Sequence, residues 1–263
     1  ADLTLLPSQT LVSANLYWAG SGGIQLSTYP GDYQVTLNGT DVIALRTFLN
    51  NDIGLSFFGA YADVTDIVAA NGNGTYTLSN LDLTGNIQNA GNNGIYCAQQ
   101  SGNSTDFGGW SIVVIYEDPA LLLNQISLFD GFEIVAGNGV PDIVITLGPL
   151  NVASDNLARI GFLAWEGDAG LPTGNNTETL IINGNVIGDP PLNPDDNQFN
   201  GTNSYTGSNQ LWNMDLDVYE LEGLVDPGDT DILIEVGSTQ DLVLIHNIIT
   251  SVNSELPDAT ISF

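Results

Sequence analysis

The chain of 263 residues carries 31 Asp and Glu but only two basic residues, Arg46 and Arg159, so its formal net charge at pH 7 is -29. A surface this acidic repels phosphate groups, which makes nucleic acids and anionic membrane surfaces poor partners. It also attracts divalent cations. The absence of lysine excludes Schiff-base catalysis and Lys–Asn isopeptide cross-links. The single cysteine, Cys97, excludes an internal disulfide, and we interpret it as a structural or incidental thiol.

Strand patterns follow one another along the chain and predict an all-β fold. Residues 32–39 alternate in polarity and end in Asn38-Gly39, a hairpin signal. One short helix is predicted over residues 63–72, capped by Asp63 or Thr65 and ended by Gly72. The remaining predicted strands lie within residues 74–85, 110–116, 142–148, 177–189, 230–238 and 241–252.

The stretch GGWSIVVIYEDP, residues 108–119, contains a continuous apolar run from Trp110 to Tyr116. This run is far shorter than the roughly 20 residues of a membrane helix, and its β-branched residues favour a strand. We therefore predict a central strand covered on both faces, which Pro119 ends because proline cannot donate to the ladder.

The spacing of turn residues predicts the architecture. Gly, Asn, Asp and Pro recur about every ten residues, the rhythm of a β-sandwich, which we expect to be jelly-roll-like. No break in composition marks a linker, so a single domain over residues 1–263 is expected, with an insertion around 189–213 as an open possibility. Two long polar stretches, residues 85–108 and 189–213, are expected to carry function or small structures of their own.

Four segments together resemble a β-rich domain of large bacterial cell-surface and adhesin-like proteins. They are residues 3–22, which contain YWAG, residues 57–80, which contain AYADVT, residues 108–119, and ISLFDGFEIV at 126–135. The resemblance implies a secreted, cell-surface, β-rich domain without known catalysis. Such domains usually lie within longer chains, so a free-standing copy is expected to be secreted free or to assemble with itself. The start at Ala1 agrees with removal of a secretory signal.

Self-assembly has a physical route through terminal strands. The apolar segments DLTLL at residues 2–6 and ATISF at residues 259–263 are candidates to complete the sheet edge of a neighbouring copy. The alternative is that both segments pair within their own domain. The partners expected from this reasoning are copies of the same chain, or glycans and other surface proteins.

Calcium is the cofactor that the acidic composition favours, since hard cations bind carboxylate and amide oxygens. Asp215 and Asp217 are two residues apart, which places both carboxylates on one face of a strand. With 31 acids, clusters also arise by chance, so a solvated surface is the alternative at each position. The candidate metal ligands are Glu166, Asp168, Asp195, Asp196, Asp215 and Asp217.

Catalytic patterns are weak. The single histidine, His246, lies in an apolar strand pattern, and we interpret it as a residue of a sheet face or core edge. The G-x-S-x-G elbow of serine hydrolases is absent from the sequence. A glycosidase with two carboxylates has no local spacing rule, so the sequence does not test it. Our interpretation is a protein without enzymatic activity.

A carbohydrate-binding role is the alternative function. Tyr205 and Trp212 lie in the polar stretch 189–213, where exposed aromatic side chains would stack on sugar faces, whereas Trp18 and Trp110 are predicted to be buried. Sequons for N-glycosylation begin at Asn38, Asn73, Asn103, Asn175 and Asn200, and of these Asn103 and Asn200 fit exposed loops best.

The sequence therefore favours a non-enzymatic extracellular structural or adhesive protein. The first hypothesis is a subunit of a surface filament or matrix, joined by exchange of β-strands and stabilised by calcium. An adhesin or lectin-like domain is the alternative, and a secreted hydrolase ranks third.

Overall fold

The computed structural model describes residues 1–23, 31–53, 56–83, 107–137, 140, 142–167, 178–239 and 241–254. Within these ranges the chain consists mostly of antiparallel β-strands with one helix, so the predicted all-β, sandwich-like class is confirmed. The chain divides into two compact units, where the sequence had led us to expect one domain. The first unit comprises residues 1–121 and 131–134, and the second comprises residues 122–130 and 135–263.

The first unit contains three sheets and the helix. A four-stranded sheet has the order β5-β6-β2-β9, a three-stranded sheet has the order β4-β3-β8, and β1 pairs with β7. The elements are β1 (Asp2–Leu3), β2 (Thr10–Gly23), β3 (Gln34–Leu37), β4 (Thr40–Ile43), β5 (Arg46–Asn50), β6 (Ser56–Asp63), α1 (Thr65–Asn71), β7 (Gly74–Thr75), β8 (Leu78–Ser79) and β9 (Gly108–Glu117).

The core of the first unit lies between its two larger sheets. Trp18 on β2 and Phe58 on β6 are fully buried against Val35 and Leu37 on β3. The polarity of β3 therefore alternates because one face of its sheet packs against a core. The Asn38-Gly39 turn links β3 to β4 with both residues at positive φ, 46° and 80°, as the hairpin signal predicted.

The predicted helix is present as α1, which buries Val68 and ends at Gly72, at φ 66°. Its cap differs from the prediction, because Val64 occupies the N-cap position and makes no side-chain bond there. Asp63 instead accepts the backbone N–H of Thr65 over 2.9 Å and its hydroxyl over 2.6 Å. No helix in the described ranges is long and apolar enough to cross a membrane.

Strand β9 contains the run Trp110 to Tyr116, and its position differs from the prediction. It lies at the end of the sheet order, where β2 is its only partner among the described residues. Side chains from Ile112 to Ile115 are half-buried, although we predicted a central strand with both faces covered. In the part of the chain that the structure describes, the apolar run thus belongs to an edge strand. Trp110 is likewise half-buried, while Trp18 is fully buried as predicted.

The second unit has two four-stranded sheets around one core. Their orders are β10-β17-β12-β15 and β11-β16-β13-β14, and Ile160, Phe162 and Val243 of the first sheet pack in one cluster with Leu180 and Ile234 of the second. The strands are β10 (Asn124–Ala136), β11 (Ile143–Leu147), β12 (Ser154–Trp165), β13 (Glu178–Ile182), β14 (Asn185–Val186), β15 (Met214–Glu220), β16 (Ile232–Ser238) and β17 (Leu242–Asn253).

Candidate functional site

Residues 189–213, called the polar loop below, form an ordered structure in the second unit. Asp189 pairs with Asn193, and Asn203 pairs with Ser208 in a small hairpin whose two backbone bonds measure 2.8 and 3.2 Å. Tyr205 lies at the tip of that hairpin and is 91% exposed. The insertion considered at this position in the sequence is therefore a folded loop with its own turns.

Asp215 holds the middle of the polar loop. One carboxylate oxygen, Oδ1, accepts the backbone N–H groups of Asn200, Gly201 and Thr202 over 2.9, 2.9 and 3.0 Å. Asp215 is completely buried, so these bonds replace the water that the carboxylate gives up. Burial and the neighbouring charge of Asp217 raise the pKa of Asp215, while the three N–H groups lower it. This side chain serves as an anchor for the loop backbone.

Asp217 holds the next part of the loop. It accepts the backbone N–H of Ser204 over 3.0 Å and the hydroxyl of Thr202 over 3.2 Å. Burial raises the pKa of Asp217 to about 6, against hydrogen bonds from Asn193, Ser204 and Thr202 that lower it. The sequence analysis placed Asp215 and Asp217 on one strand face, and both do face inward from β15.

Glu178, the first residue of β13, holds a third point of the loop. Its Oε2 accepts the backbone N–H of Phe199 over 3.0 Å, and its own N–H donates to the carbonyl of Asp196 over 3.1 Å. Glu178 is fully buried, and burial followed by the charge of Asp241 raises its pKa well above the usual range. Three buried acids thus accept five backbone N–H groups of the polar loop.

A chain of amide and phenol groups completes the base of the loop. Asn193 donates its side-chain amide to the Tyr219 hydroxyl over 2.9 Å, and that hydroxyl donates to Oε1 of Gln198 over 2.7 Å. Burial and the charge of Asp217 raise the pKa of Tyr219, so the group remains a phenol. The sequence analysis missed Glu178, Asn193, Gln198 and Tyr219. Glu178 was detectable, because it is in phase with the buried residues Leu180 and Ile182.

The predicted metal ligands lie in different surroundings. Asp195 is exposed, Asp196 is half-buried, and Asp168 lies outside the described residues. Glu166 is buried at φ 78°, accepts the side-chain amide of Asn213 over 3.3 Å and donates its N–H to the Asn213 carbonyl. In the described part of the chain, no group of three or more His, Cys, Asp or Glu is arranged to hold a metal ion.

The histidine lies in the core of the second unit. His246 is fully buried, and its Nδ1 accepts the indole N–H of Trp165 over 3.0 Å. Burial lowers its pKa to about 3, so the imidazole is neutral at physiological pH. His246 was predicted to lie on a sheet face or at the edge of the core, and in the structure it lies inside the core.

The predicted aromatic pair is exposed. Trp212 is 57% exposed and adopts a positive φ of 61° at the end of the polar loop. Gly201 lies against it, because a Cβ on Gly201 would come within 2.2 Å of the Trp212 carbonyl oxygen. Tyr205 and Trp212 therefore expose their side chains on a loop whose backbone is held by buried acids.

The sequons occupy different environments. Asn73 is exposed, and its side chain bonds both backbone groups of Leu5, over 2.7 and 2.8 Å. Asn38 is half-buried in its turn and accepts the N–H of Thr77. Asn200 is buried and donates its amide to the Leu192 carbonyl, so it does not fit the accessible acceptor we expected. Asn103 and Asn175 lie outside the described residues, as does Cys97.

Comparisons with known proteins find no relative. No family model matches the chain, and neither a curated protein nor a solved structure matches it.

Proposed function

We propose that this chain is a non-catalytic structural module of an extracellular surface, and that copies of it join by adding strands to one another's sheets. The support comes from the fold class, from the charge of -29 and from the edge strand β9. The resemblance to adhesin-like surface domains agrees with this role. Secretion and surface location belong to the same proposal.

Strand β9 is the observation that carries the proposal. It is ten residues long, and the seven residues from Trp110 to Tyr116 contain neither a charge nor a proline. Proteins normally protect such edges with lysine, proline or inward-pointing charges, because an exposed apolar edge pairs with other chains. Among the described residues β9 pairs on one side only, with β2. An edge of this length that is unpaired among the described residues suits an acceptor for an added strand.

Of the two predicted donor segments, residues 2–6 and 259–263, we favour the second. Asp2 and Leu3 pair with Thr75 and Gly74 inside their own unit, and Asn73 fixes Leu5. The first segment, residues 2–6, is thus used internally for most of its length. The second predicted donor, residues 259–263, lies outside the described residues and remains the candidate.

The assembly is tested with a lysine on the edge strand. We expect the wild-type protein to form species heavier than the 27.8 kDa monomer in light scattering, and ordered fibres in electron microscopy. Val113→Lys places a charge on β9 and is expected to shift the protein to monomer. Val12→Lys is the matched control, since Val12 is 53% exposed on the inner strand β2. The measurements run at low and high salt, because salt screens repulsion between acidic copies.

A monomeric wild-type protein at high salt and high concentration would contradict the assembly proposal. Equal assembly by Val113→Lys and wild type would contradict the assignment to β9. Circular dichroism melts of both variants show whether either substitution unfolds the chain.

Calcium stabilisation is a further part of the proposal, and the acidic surface supports it. We expect millimolar calcium to raise the melting temperature and excess chelator to reverse that change. Magnesium at the same concentration is the control for general screening. Identical melting curves with calcium, magnesium and chelator would remove calcium from the proposal.

A second candidate function, binding of carbohydrate, is favoured by the exposure of Tyr205 and Trp212 on a firmly anchored loop. Preordered aromatic side chains bind sugar faces at a low entropic cost. A glycan array with the wild-type protein, followed by Tyr205→Ala and Trp212→Ala, tests it. Tyr116→Ala is the control, because Tyr116 is an exposed tyrosine of the other unit. If both loop variants still bound the glycan, the surface around Tyr205 and Trp212 would be excluded as the binding site.

A further inference from the structure

Glu178 occupies a position where an ionised carboxylate is costly. Its side chain is fully buried at the start of β13, on the same face as the core residues Leu180 and Ile182. One oxygen, Oε2, accepts the Phe199 N–H, and the other oxygen, Oε1, is buried without a donor among the described residues. A buried charge needs a partner of opposite sign or full hydrogen bonding.

Asp241 lies beside Glu178, where, in addition to burial, its charge and a side-chain hydrogen bond both raise the pKa of the Glu178 carboxyl. Asp241 is fixed beside it, because its N–H donates to the Ser238 hydroxyl and that hydroxyl donates to the Asp241 carbonyl. Ser238 is in turn the residue of β16 that pairs directly with Glu178. Glu178 on β13 and Asp241, the residue just before β17, are thus held close together through Ser238.

The charged groups around this pair are all acidic. Asp215 faces Glu178 from β15, and the Asp142 carboxylate lies against Gly237, the neighbour of Ser238 on β16. The basic side chains are engaged elsewhere. Arg46 lies over the Tyr61 ring in the other unit, and Arg159 pairs with Glu220 at 2.9 Å. His246 on β17 is neutral and bonded to Trp165.

Two carboxyl groups in contact cannot both be ionised cheaply, but one proton between them converts repulsion into a hydrogen bond. We propose that Glu178 and Asp241 share one proton, and that this pair is a pH-sensitive latch which fixes residues 196–199 of the polar loop to β13. Glu178 carries the proton and donates through Oε1 to Asp241, while its Oε2 continues to accept the Phe199 N–H. The inference is independent of the proposed function.

The direction of the pH effect follows from burial. The pKa of Glu178 is higher in the folded chain than in the unfolded chain, so the folded chain holds the proton more tightly. The stabilisation is complete below the unfolded pKa and is lost as the pH rises toward the folded pKa. Over that window each pH unit lowers the folding equilibrium constant up to about tenfold. We therefore expect the melting temperature of the wild type to fall as the pH rises above the ordinary glutamate pKa of 4.5, and the comparison is made between pH 5 and pH 9.

Glu178→Gln is the decisive variant, because a glutamine amide donates to Asp241 permanently and its oxygen still accepts the Phe199 N–H. We expect this variant to fold and to lose most of the fall in melting temperature between pH 5 and pH 9. Asp195→Asn is the control for removing one negative charge, since Asp195 is exposed in the same loop. Asp215→Asn tests the neighbouring buried acid. Limited proteolysis at both pH values, with cut sites mapped by mass spectrometry, reports on the loop.

We expect protease cuts within residues 194–212 to appear at pH 9 in the wild type and to be suppressed in Glu178→Gln. An unchanged pH slope in Glu178→Gln would overturn the proposal, and so would a slope abolished by Asp215→Asn alone. A different outcome is that calcium restores the melting temperature of the wild type at pH 9 and leaves that of Glu178→Gln unchanged. That result would show that a bound cation, and not a shared proton, joins the two carboxyl groups.

Discussion

Trp165 donates its indole N–H to Nδ1 of His246 over 3.0 Å, inside the core of the second unit. The bond fixes the tautomer of the histidine, because an Nδ1 that accepts leaves the proton of the neutral ring on Nε2. Protonation of Nδ1 would break this bond and place a charge in the core. The pair therefore makes the fold sensitive to acid.

The first prediction concerns acidification. The pKa of His246 is about 3 in the folded chain against an ordinary value of 6.5, so the unfolded chain takes up the proton first. The stabilisation by neutral His246 is complete above pH 6.5 and is lost as the pH falls. At pH 5 the loss is about 2 kcal/mol. Urea denaturation at pH 7 and pH 5 should show this extra loss in the wild type relative to His246→Gln. Parallel changes in both proteins would contradict the prediction.

The second prediction concerns Asp215. Asp215→Ala leaves the N–H groups of Asn200, Gly201 and Thr202 without their acceptor in a buried site. Each orphaned donor costs about 1–3 kcal/mol, so we expect a loss of about 3–5 kcal/mol in the free energy of unfolding. Asp215→Asn keeps an acceptor oxygen and should lose much less. Equal losses in the two variants, measured by denaturant unfolding, would show that the three bonds contribute little.

The third prediction compares two glycines of the polar loop. Gly201 has φ +75° and no room for a Cβ, whereas Gly207 has φ +68° and open space around it. Gly207→Ala is destabilised only by the strain of the left-handed backbone conformation, which costs about 1 kcal/mol. Gly201→Ala adds a clash with the Trp212 carbonyl and should cost about 3 kcal/mol or more. Thermal unfolding of both variants checks the difference, and a smaller loss for Gly201→Ala would be the contrary result.

The fourth prediction concerns the first residues of the chain. Asn73 accepts the Leu5 N–H over 2.7 Å and donates to the Leu5 carbonyl over 2.8 Å. Asn73→Ala removes both bonds, each worth about 0.5–1.5 kcal/mol. Hydrogen exchange at the Leu5 amide should become about tenfold faster, while Asn71→Ala, on the neighbouring helix, should leave it unchanged. An unchanged rate in Asn73→Ala would mean that β1 alone holds this segment.

Local signals predicted local structure well. The predicted turn at Asn38-Gly39 is present, and the same residue pair at Asn183-Gly184 also forms a turn, with positive φ at all four residues. The helix α1 and the strands on either side of these turns were likewise indicated by the pattern of adjacent residues. Such features depend on the backbone freedom of a few adjacent residues, so a single sequence is sufficient to find them.

Strand neighbours and strand faces were harder to predict. An apolar run indicates burial, but it does not distinguish a central strand from the edge strand β9, because the sheet order depends on distant residues. On β15, Asp217 faces inward while the apolar residue Val218 is 44% exposed. Acids take the place of apolar residues on this face, because the backbone N–H groups of the polar loop need buried acceptors there. The division into two units left no trace in composition.

The anchors of the polar loop differ greatly in how far apart they lie along the chain. The bonds from Asn200, Gly201 and Thr202 to Asp215 span 13 to 15 residues, so they close small rings soon after these residues are synthesised. The interaction between Glu178 and Asp241 joins β13 to the residue that precedes β17, with β14, β15 and β16 between them in the sequence. The loop and β15 can therefore organise as one local hairpin-like unit before β17 exists, and Asp241 reaches Glu178 only once the chain has been made up to β17.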